Sequence, residues 1–303
     1  MSPSIKIQSL SKSYGKVLAV NNISLKIMPG ELFGLIGPDG AGKTSIFRIL
    51  TTLLIPDKGK ASMDGLDTVK DYKAIRNIVG YMPGRFSLYQ DLSIKENLEF
   101  FATAFGTTVE ENYHLIKDIY TQIEPFKNRL AGRLSGGMKQ KLALSCALIH
   151  KPKILILDEP TTGVDAVSRK EFWEMLLRLK TQGITIMVAT PYMDEASLCD
   201  RVALIQNGNI LKTDSPQSIV DKFEHRVYAI KTQNKYKTLK LLQQFNLTHS
   251  VFPFGEQLHF IANNDNNIES KTKTYLKLQD INDTEFLPIT PTIEDVFMNE
   301  QQT

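Results

Sequence analysis

Three groups of residues in this chain have the types and spacing needed for phosphate chemistry. Gly37-Pro38-Asp39-Gly40-Ala41-Gly42-Lys43-Thr44, followed by Ser45, fits the loop pattern G-x-x-x-x-G-K-[ST]. Its glycines let backbone N–H groups curl around β- and γ-phosphates, and the N-terminus of a following helix adds partial positive charge. Lys43 suits the bridging of phosphate oxygens, and the Thr44 hydroxyl suits Mg²⁺. Farther on, Ile154-Leu155-Ile156-Leu157 runs into Asp158-Glu159, an apolar strand ending in two carboxylates. The first is placed to hold Mg²⁺ and the second to orient or deprotonate an attacking water. Between them, Leu134-Ser135-Gly136-Gly137-Met138-Lys139-Gln140 opens a helix. Ser135 is placed to cap it, and two glycines leave its first N–H groups open to a second anion. The pattern calls for a nucleoside triphosphate with Mg²⁺.

These residues need rigid supports, and the periodicity provides them. Glu31 to Ile36 reads as a buried strand before the loop, and Ser45 to Leu54 has helical apolar spacing after it. Ile5 to Leu10 and Val20 to Ile27 alternate as strands, with Ser13-Tyr14-Gly15 a turn between them. Tyr14 suits either an ordinary surface turn or a stacking platform for a base, and the residues alone leave both open. Pro56 to Gly59 and Asp64-Gly65 bracket a short strand, and Ile78 to Met82 is another. From Ser93 to His150 the pattern is helical, starting with a Ser93/Glu96 capping box, so a helical block of about residues 88–150 is inserted into an α/β core. The loop Thr161 to Asp165, a helix over Ser168 to Lys180 and a strand over Ile184 to Ala189 complete that core. After Glu224 the composition shifts toward Asn, Gln and Lys. Strands at Arg226–Ile230, near Val251, at Leu258–Ala262 and at Phe286–Ile289 then interleave with helices Tyr236–Phe245 and Ile268–Leu278. That β-α-β-β-α-β order fits a small ferredoxin-like α+β domain over 225–303, after a first domain over 1–224.

With 303 residues there is room for one large and one small domain, and a net charge of +3 with interspersed signs gives no argument for nucleic-acid binding. Cys146 and Cys199 lack metal-ligand spacing and read as buried thiols of a reducing compartment. No apolar run is long enough to span a bilayer, and the N-terminus has no signal-peptide pattern. If the protein serves a membrane process, other chains supply the membrane part.

Taken together and in this order, the motifs resemble those of the nucleotide-binding subunits of ABC transporters, from about Ile5 to about Phe223. Gly37–Thr44 looks like Walker A, Leu134–Gln140 like the signature motif, Ile154–Asp158 like Walker B, Glu159 like the catalytic glutamate and Gly163–Asp165 like the D-loop. The resemblance implies a P-loop NTPase fold of ABC type, ATP and Mg²⁺ as cofactors, and Tyr14 stacked on adenine. It also implies a head-to-tail dimer in which each ATP lies between one subunit's P-loop and the other's Ser135-Gly136-Gly137 and Asp165. Met193-Asp194-Glu195-Ala196 and Pro291 to Phe297 resemble efflux-type ATPases whose permease is a separate polypeptide, which implies a peripheral protein at the cytoplasmic face of the plasma membrane.

Two positions depart from the family pattern. Gly84 stands where a Gln usually touches Mg²⁺, and Pro191 where a His usually contacts the γ-phosphate. Loss of one transition-state donor costs about 10²–10³ in rate. The expectation is therefore a slow site on this chain's own P-loop and a heterodimer with a second, fully equipped ATPase, against a homodimer whose loops supply substitutes. A regulatory, weakly hydrolysing subunit and a soluble non-transport ABC ATPase are the competing functions. The second has against it the short span of about ninety residues from Thr44 to Leu134, too few for a long coiled-coil insert. A nucleotide kinase would share the loop at Gly37–Thr44 and leave Leu134–Gln140 without a purpose.

Overall fold

The computed structural model describes residues 2–263 and 267–300, and the ends of the two expected domains at residues 1 and 303 lie outside the described residues. Two compact units divide at Asp214/Ser215, ahead of the composition shift at Glu224.

In the first unit, β1 (Ile5–Tyr14) and β2 (Val17–Ile27) form an antiparallel hairpin. Tyr14 ends β1, paired with Val17, and Gly15 takes the left-handed φ of 58° in the turn proper. Tyr14 thus sits on a strand end instead of in the turn, because the β1–β2 pairing continues past Leu10. β3 (Leu32–Ile36) leads into α1 (Lys43–Leu50), which stops short of Leu54 where Thr51 bonds back to Phe47 and Thr52 turns to φ 64°. β4 (Lys58–Met63), β5 (Leu66–Asp67), α2 (Tyr72–Ile78) and β6 (Val79–Met82) follow. The helical block comprises α3 (Ile94–Ala104), α4 (Val109–Tyr120) and α5 (Gly136–Leu148). In α3 the capping box is complete: the Ser93 hydroxyl accepts from Glu96 N–H, and the Glu96 carboxylate accepts from Ser93 N–H. β7 (Ile154–Asp158), α6 (Ala166–Thr181), β8 (Thr185–Thr190), β9 (Arg201–Gln206) and β10 (Asn209–Asp214) close the unit.

The central sheet has the order β10-β9-β3-β8-β7-β6, with β9, β3, β8, β7 and β6 parallel and β10 antiparallel to β9. β3, β7 and β8 are buried along their whole length, as unbroken apolar runs in parallel sheets are. A second sheet, β2-β1-β4-β5, shares one core with the central sheet and α1. Ile46, Phe47, Ile49 and Leu50 of α1 are fully buried there, and each contributes about 1.5–3 kcal/mol through apolar burial. That packing fixes the start of α1 against the ends of β3, β8 and β7.

In the second unit, α7 (Pro216–Asp221) precedes β11 (Arg226–Lys231), α8 (Lys235–Gln244), β12 (Thr248–Phe254), β13 (Gln257–Ala262), α9 (Ile268–Lys277), β14 (Glu285–Ile289) and α10 (Ile293–Glu300). Its antiparallel sheet has the order β12-β13-β11-β14. Side chains alternate across it: Ile230, Leu258 and Phe260 pack with Leu242 of α8 and Leu276 of α9, while Val227, Phe252 and Ile261 pack with Met298 of α10. Among the described residues no helix is long and apolar enough to cross a membrane.

Candidate functional site

Strand order brings the separated motifs to one sheet edge. β8 lies between β3 and β7, with Ile36 level with Thr190 and Asp158 level with Ala189. The loop after β3, the carboxylates after β7 and the turn after β8 therefore emerge side by side at the strands' C-terminal ends, where ligands of open α/β sheets bind.

The loop is held open by backbone that only glycine tolerates. Gly42, at the N-cap of α1, has φ 103°, and a Cβ there would lie 2.2 Å from the Ala19 carbonyl oxygen. A Cβ on Gly37 would lie 2.1 Å from the Ile205 carbonyl oxygen. No side chain caps α1, so its first N–H groups remain available to an anion. Lys43 is only 3% exposed, and its ammonium donates to the Gly37 carbonyl at 2.8 Å and the Pro38 carbonyl at 3.0 Å. Its third neighbour is the Glu159 carboxylate, at 3.1 Å. Two residues given separate roles by their motifs are thus a direct ion pair across the cradle.

Glu159 has a left-handed φ of 49° and is held by its own N–H, which donates to Ala189 O at 2.8 Å. A non-glycine residue in that region costs about 1–2 kcal/mol, and such strain gathers at functional sites. Beside it, Asp158 is 2% exposed, bonded by the Thr44 hydroxyl, and its Oδ1 has no hydrogen-bond partner. Burial pushes the Asp158 carboxyl up from its ordinary value, against the Thr44 bond and with the help of neighbouring Glu159. A buried carboxylate oxygen without a donor, next to a threonine hydroxyl, is the donor set that suits Mg²⁺ completed by phosphate oxygens and water.

Tyr14 is 44% exposed, and its hydroxyl lies 3.2 Å from that of Ser45 at the start of α1. Ser135 caps α5 by accepting from Met138 N–H, and both Ser135 and Gly136 are exposed. Gly137 is buried, with no room for a Cβ beside the Ser168 hydroxyl of α6. Asp165 uses its carboxylate to cap α6, accepting from Val167 and Ser168 N–H at 3.1 and 3.0 Å. Those bonds hold it below the ordinary carboxylate value. Pro38, Asp39 and Gly40 are exposed on the loop, whereas Ala41 is buried. Gly84 lies over β7, where a Cβ would meet Asp158 O at 3.1 Å. A small cavity of about 140 Å³ joins Gly84, Glu159, Gly136 and Lys139.

The family model for the ABC transporter matches residues 20–162. The Nod factor export ATP-binding protein I of Rhizobium sp. (strain N33) is 33% identical over 300 residues, covering 97% of this chain and 95% of that protein. The chain belongs to the ABC transporter ATP-binding family. This is a family of ATPases, and the ABC fold of the first unit agrees with solved structures of the family. CbiO1 from Clostridium perfringens, part of the ABC transporter complex cbiONQ, gives a TM-score of 0.65 at 26% identity, covering 73% of this chain and 92% of that one. The ATP-binding cassette MJ0796, in a dimeric post-hydrolysis state bound to ADP and Pi, gives 0.64 at 26% identity, covering 70% and 98%. The probable multidrug ABC transporter ATP-binding protein YbhF of Escherichia coli (strain K12) is 41% identical over 228 residues. That match takes in 75% of this chain and 39% of YbhF, so the chain spans well under half of that relative's length.

Motif reading missed one member of this ABC site. Glu195, 2% exposed, accepts from the Thr161 hydroxyl at 2.7 Å and the Thr190 hydroxyl at 2.6 Å. Its sequence signal is its place in Met193-Asp194-Glu195-Ala196, a run that resembles those of efflux-type ATPases but carries no sign of what the carboxylate holds.

Proposed function

We propose that this chain is the ATP-binding and ATP-hydrolysing subunit of an ABC exporter, working peripherally through a separate membrane permease. The observation that carries the export reading is likeness along nearly the whole chain to an export ATP-binding protein. Tyr14 stacks on adenine, and the Gly37–Ser45 loop holds the phosphates. Lys43 leaves Glu159 to bridge phosphate oxygens, and Thr44 and Asp158 would hold Mg²⁺, which would neutralise charge on the phosphates. Glu159 takes a proton from the attacking water as the bond from the γ-phosphorus to the bridging oxygen breaks, leaving ADP and phosphate. Ser135, Gly136, Gly137 and Asp165 face the nucleotide of a second ATPase subunit.

Gly84 and Pro191 support an asymmetric pair in which the site on this chain's P-loop is the slow one, and the favoured partner is a different ATPase. Pro191 has no side-chain donor and no N–H. Pro191→His is expected to raise turnover of the purified chain by about 10²-fold, measured as steady-state phosphate release. Turnover unchanged by that substitution, with brisk parent hydrolysis, removes the missing-donor argument and favours a self-sufficient homodimer. Binding without turnover in either protein favours a regulatory subunit.

Lys43→Met tests the cradle itself. It removes charge-assisted bonds to phosphate worth about 1.5–3 kcal/mol, so ATP affinity by calorimetric titration is expected to fall about 10–10²-fold. Undiminished affinity would mean that the backbone N–H groups alone hold the phosphates.

A further inference from the structure

Glu195 is charged, almost fully buried and outside every motif that the ATPase chemistry uses. Its carboxylate is shared between two loops. Oε1 accepts from Thr161, two residues after Glu159, and Oε2 accepts from Thr190, the last residue of β8. The Thr190 hydroxyl in turn accepts from Tyr192 N–H at 3.0 Å, shaping the turn around Pro191. The Thr190 carbonyl accepts from Gly37 N–H at 3.3 Å, at the start of the phosphate loop. One carboxylate therefore ties together the segment carrying Glu159, the turn carrying Pro191 and, through Thr190, the P-loop. Arg169 Nε stands 4.0 Å from Oε1, and its guanidinium lies over the Tyr192 ring at 4.9 Å, which packs α6 against the same turn.

Burying a carboxylate against two neutral hydroxyls and a distant cation is a poor way to gain stability, since the desolvation cost is large. What the arrangement gains is placement. Elsewhere the segment is held through its backbone: Glu159 N–H donates to Ala189 O, Glu159 O accepts from Thr162 N–H, and Pro160 O accepts from the Gln140 side-chain amide. With Thr161 clamped two residues later, the left-handed kink at Glu159 is fixed from both sides. Bonds of 2.6–2.7 Å to an ionised acceptor are in the strong range.

We infer that Glu195 is a positioning residue for ATP hydrolysis, holding Glu159 in register with the P-loop through Thr161 and Thr190. This inference rests on the ATPase reading above. It touches neither nucleotide nor water, so its loss acts on the chemical step more than on binding. A displacement of about 1 Å in a reacting group costs about 10²-fold.

The test is single-turnover hydrolysis with protein in excess over ATP, with ATP affinity measured separately. A parent rate that Glu159→Gln abolishes establishes the ATPase reading, and a parent rate indifferent to Glu159→Gln sinks that reading before Glu195 is touched. Given the first result, Glu195→Ala is expected to lose about 10²-fold in rate, with ATP affinity within about threefold. Glu195→Gln accepts one hydroxyl through its oxygen and donates to the other through its amide, and is expected to recover to within about tenfold of the parent. Thr161→Val removes the same bond from the opposite side, and serves if Glu195→Ala does not fold. Its rate is expected to fall with affinity unchanged. A folded Glu195→Ala or Thr161→Val with the parent rate overturns the inference. So does a loss of affinity that matches the loss of rate, or a Gln variant no better than Ala, since either is what general loosening of the site produces.

Discussion

Glu159→Gln is expected to lower ATP turnover by about 10²–10⁴-fold, the range a positioned general base supplies, and to leave nucleotide bound at least as tightly. The carboxamide has nearly the same shape and keeps the Glu159 backbone, with its φ of 49° and its bond to Ala189, in place. It cannot accept a proton from water at neutral pH. The gain in binding follows from the ion pair. Lys43 holds the Glu159 carboxylate at 3.1 Å, and phosphate must displace it. Neutral Gln gives up the lysine more readily, so affinity for ADP, measured by titration in the monomer, is expected to rise a few-fold. Such a rise for ADP separates release of Lys43 from trapping of unhydrolysed ATP. Turnover within a few-fold of the parent would mean that another group activates the water.

Asp295→Ala is expected to destabilise the second unit by about 3–5 kcal/mol, as loss of one partner from a buried charged network does. Asp295 is fully buried at the start of α10 and accepts three bonds: from His259 Nδ1 at 2.6 Å, and from the Thr292 N–H and hydroxyl at 2.7 Å each. His259 is 3% exposed in the middle of β13, stacked on Phe254 at 4.0 Å. Burial alone would raise the Asp295 carboxyl; the bonds from His259 and Thr292 outweigh it and hold the group below its ordinary value. A carboxyl lowered in the folded state contributes stability that is complete above about pH 4 and fades as pH falls through the lower folded value. Chemical denaturation of the full chain, followed by a probe in the second unit, is expected to show the loss at pH 7. It should also show parent and variant converging toward pH 3. A difference that persists undiminished at pH 3 would assign the effect to packing of α10 and not to the carboxylate.

The residues that make the phosphate loop and the caps were legible because their signals are local. Gly37–Thr44 needs glycines at fixed offsets, Ser93 with Glu96 and Ser135 each satisfy helix N–H groups within a turn, and Ile154–Leu157 announces burial on both faces by having no polar residue. The order of strands and helices from Arg226 onward was legible for the same reason, since periods of 2 and 3.6 are written in neighbours. Short α2 was not, because its seven residues carry one buried side chain, Ile75, and so no repeat.

What the sequence by itself determined is therefore the chemistry at hand: a loop for phosphate, a pair of acids, a capped helix open to an anion, and the family these imply. Only the tertiary structure decided who meets whom. That β8 separates β3 from β7 is a choice of sheet order, and it puts Lys43 on Glu159 and Thr161 and Thr190 on Glu195, while packing of the second sheet over α1 puts Tyr14 on Ser45. Partners such as Thr161 and Glu195, or His259 and Asp295, lie 34 and 36 residues apart. No local period or cap records such a pairing, because it is set by where the sheet and its helices bury their apolar faces, and the polar contacts follow from that packing.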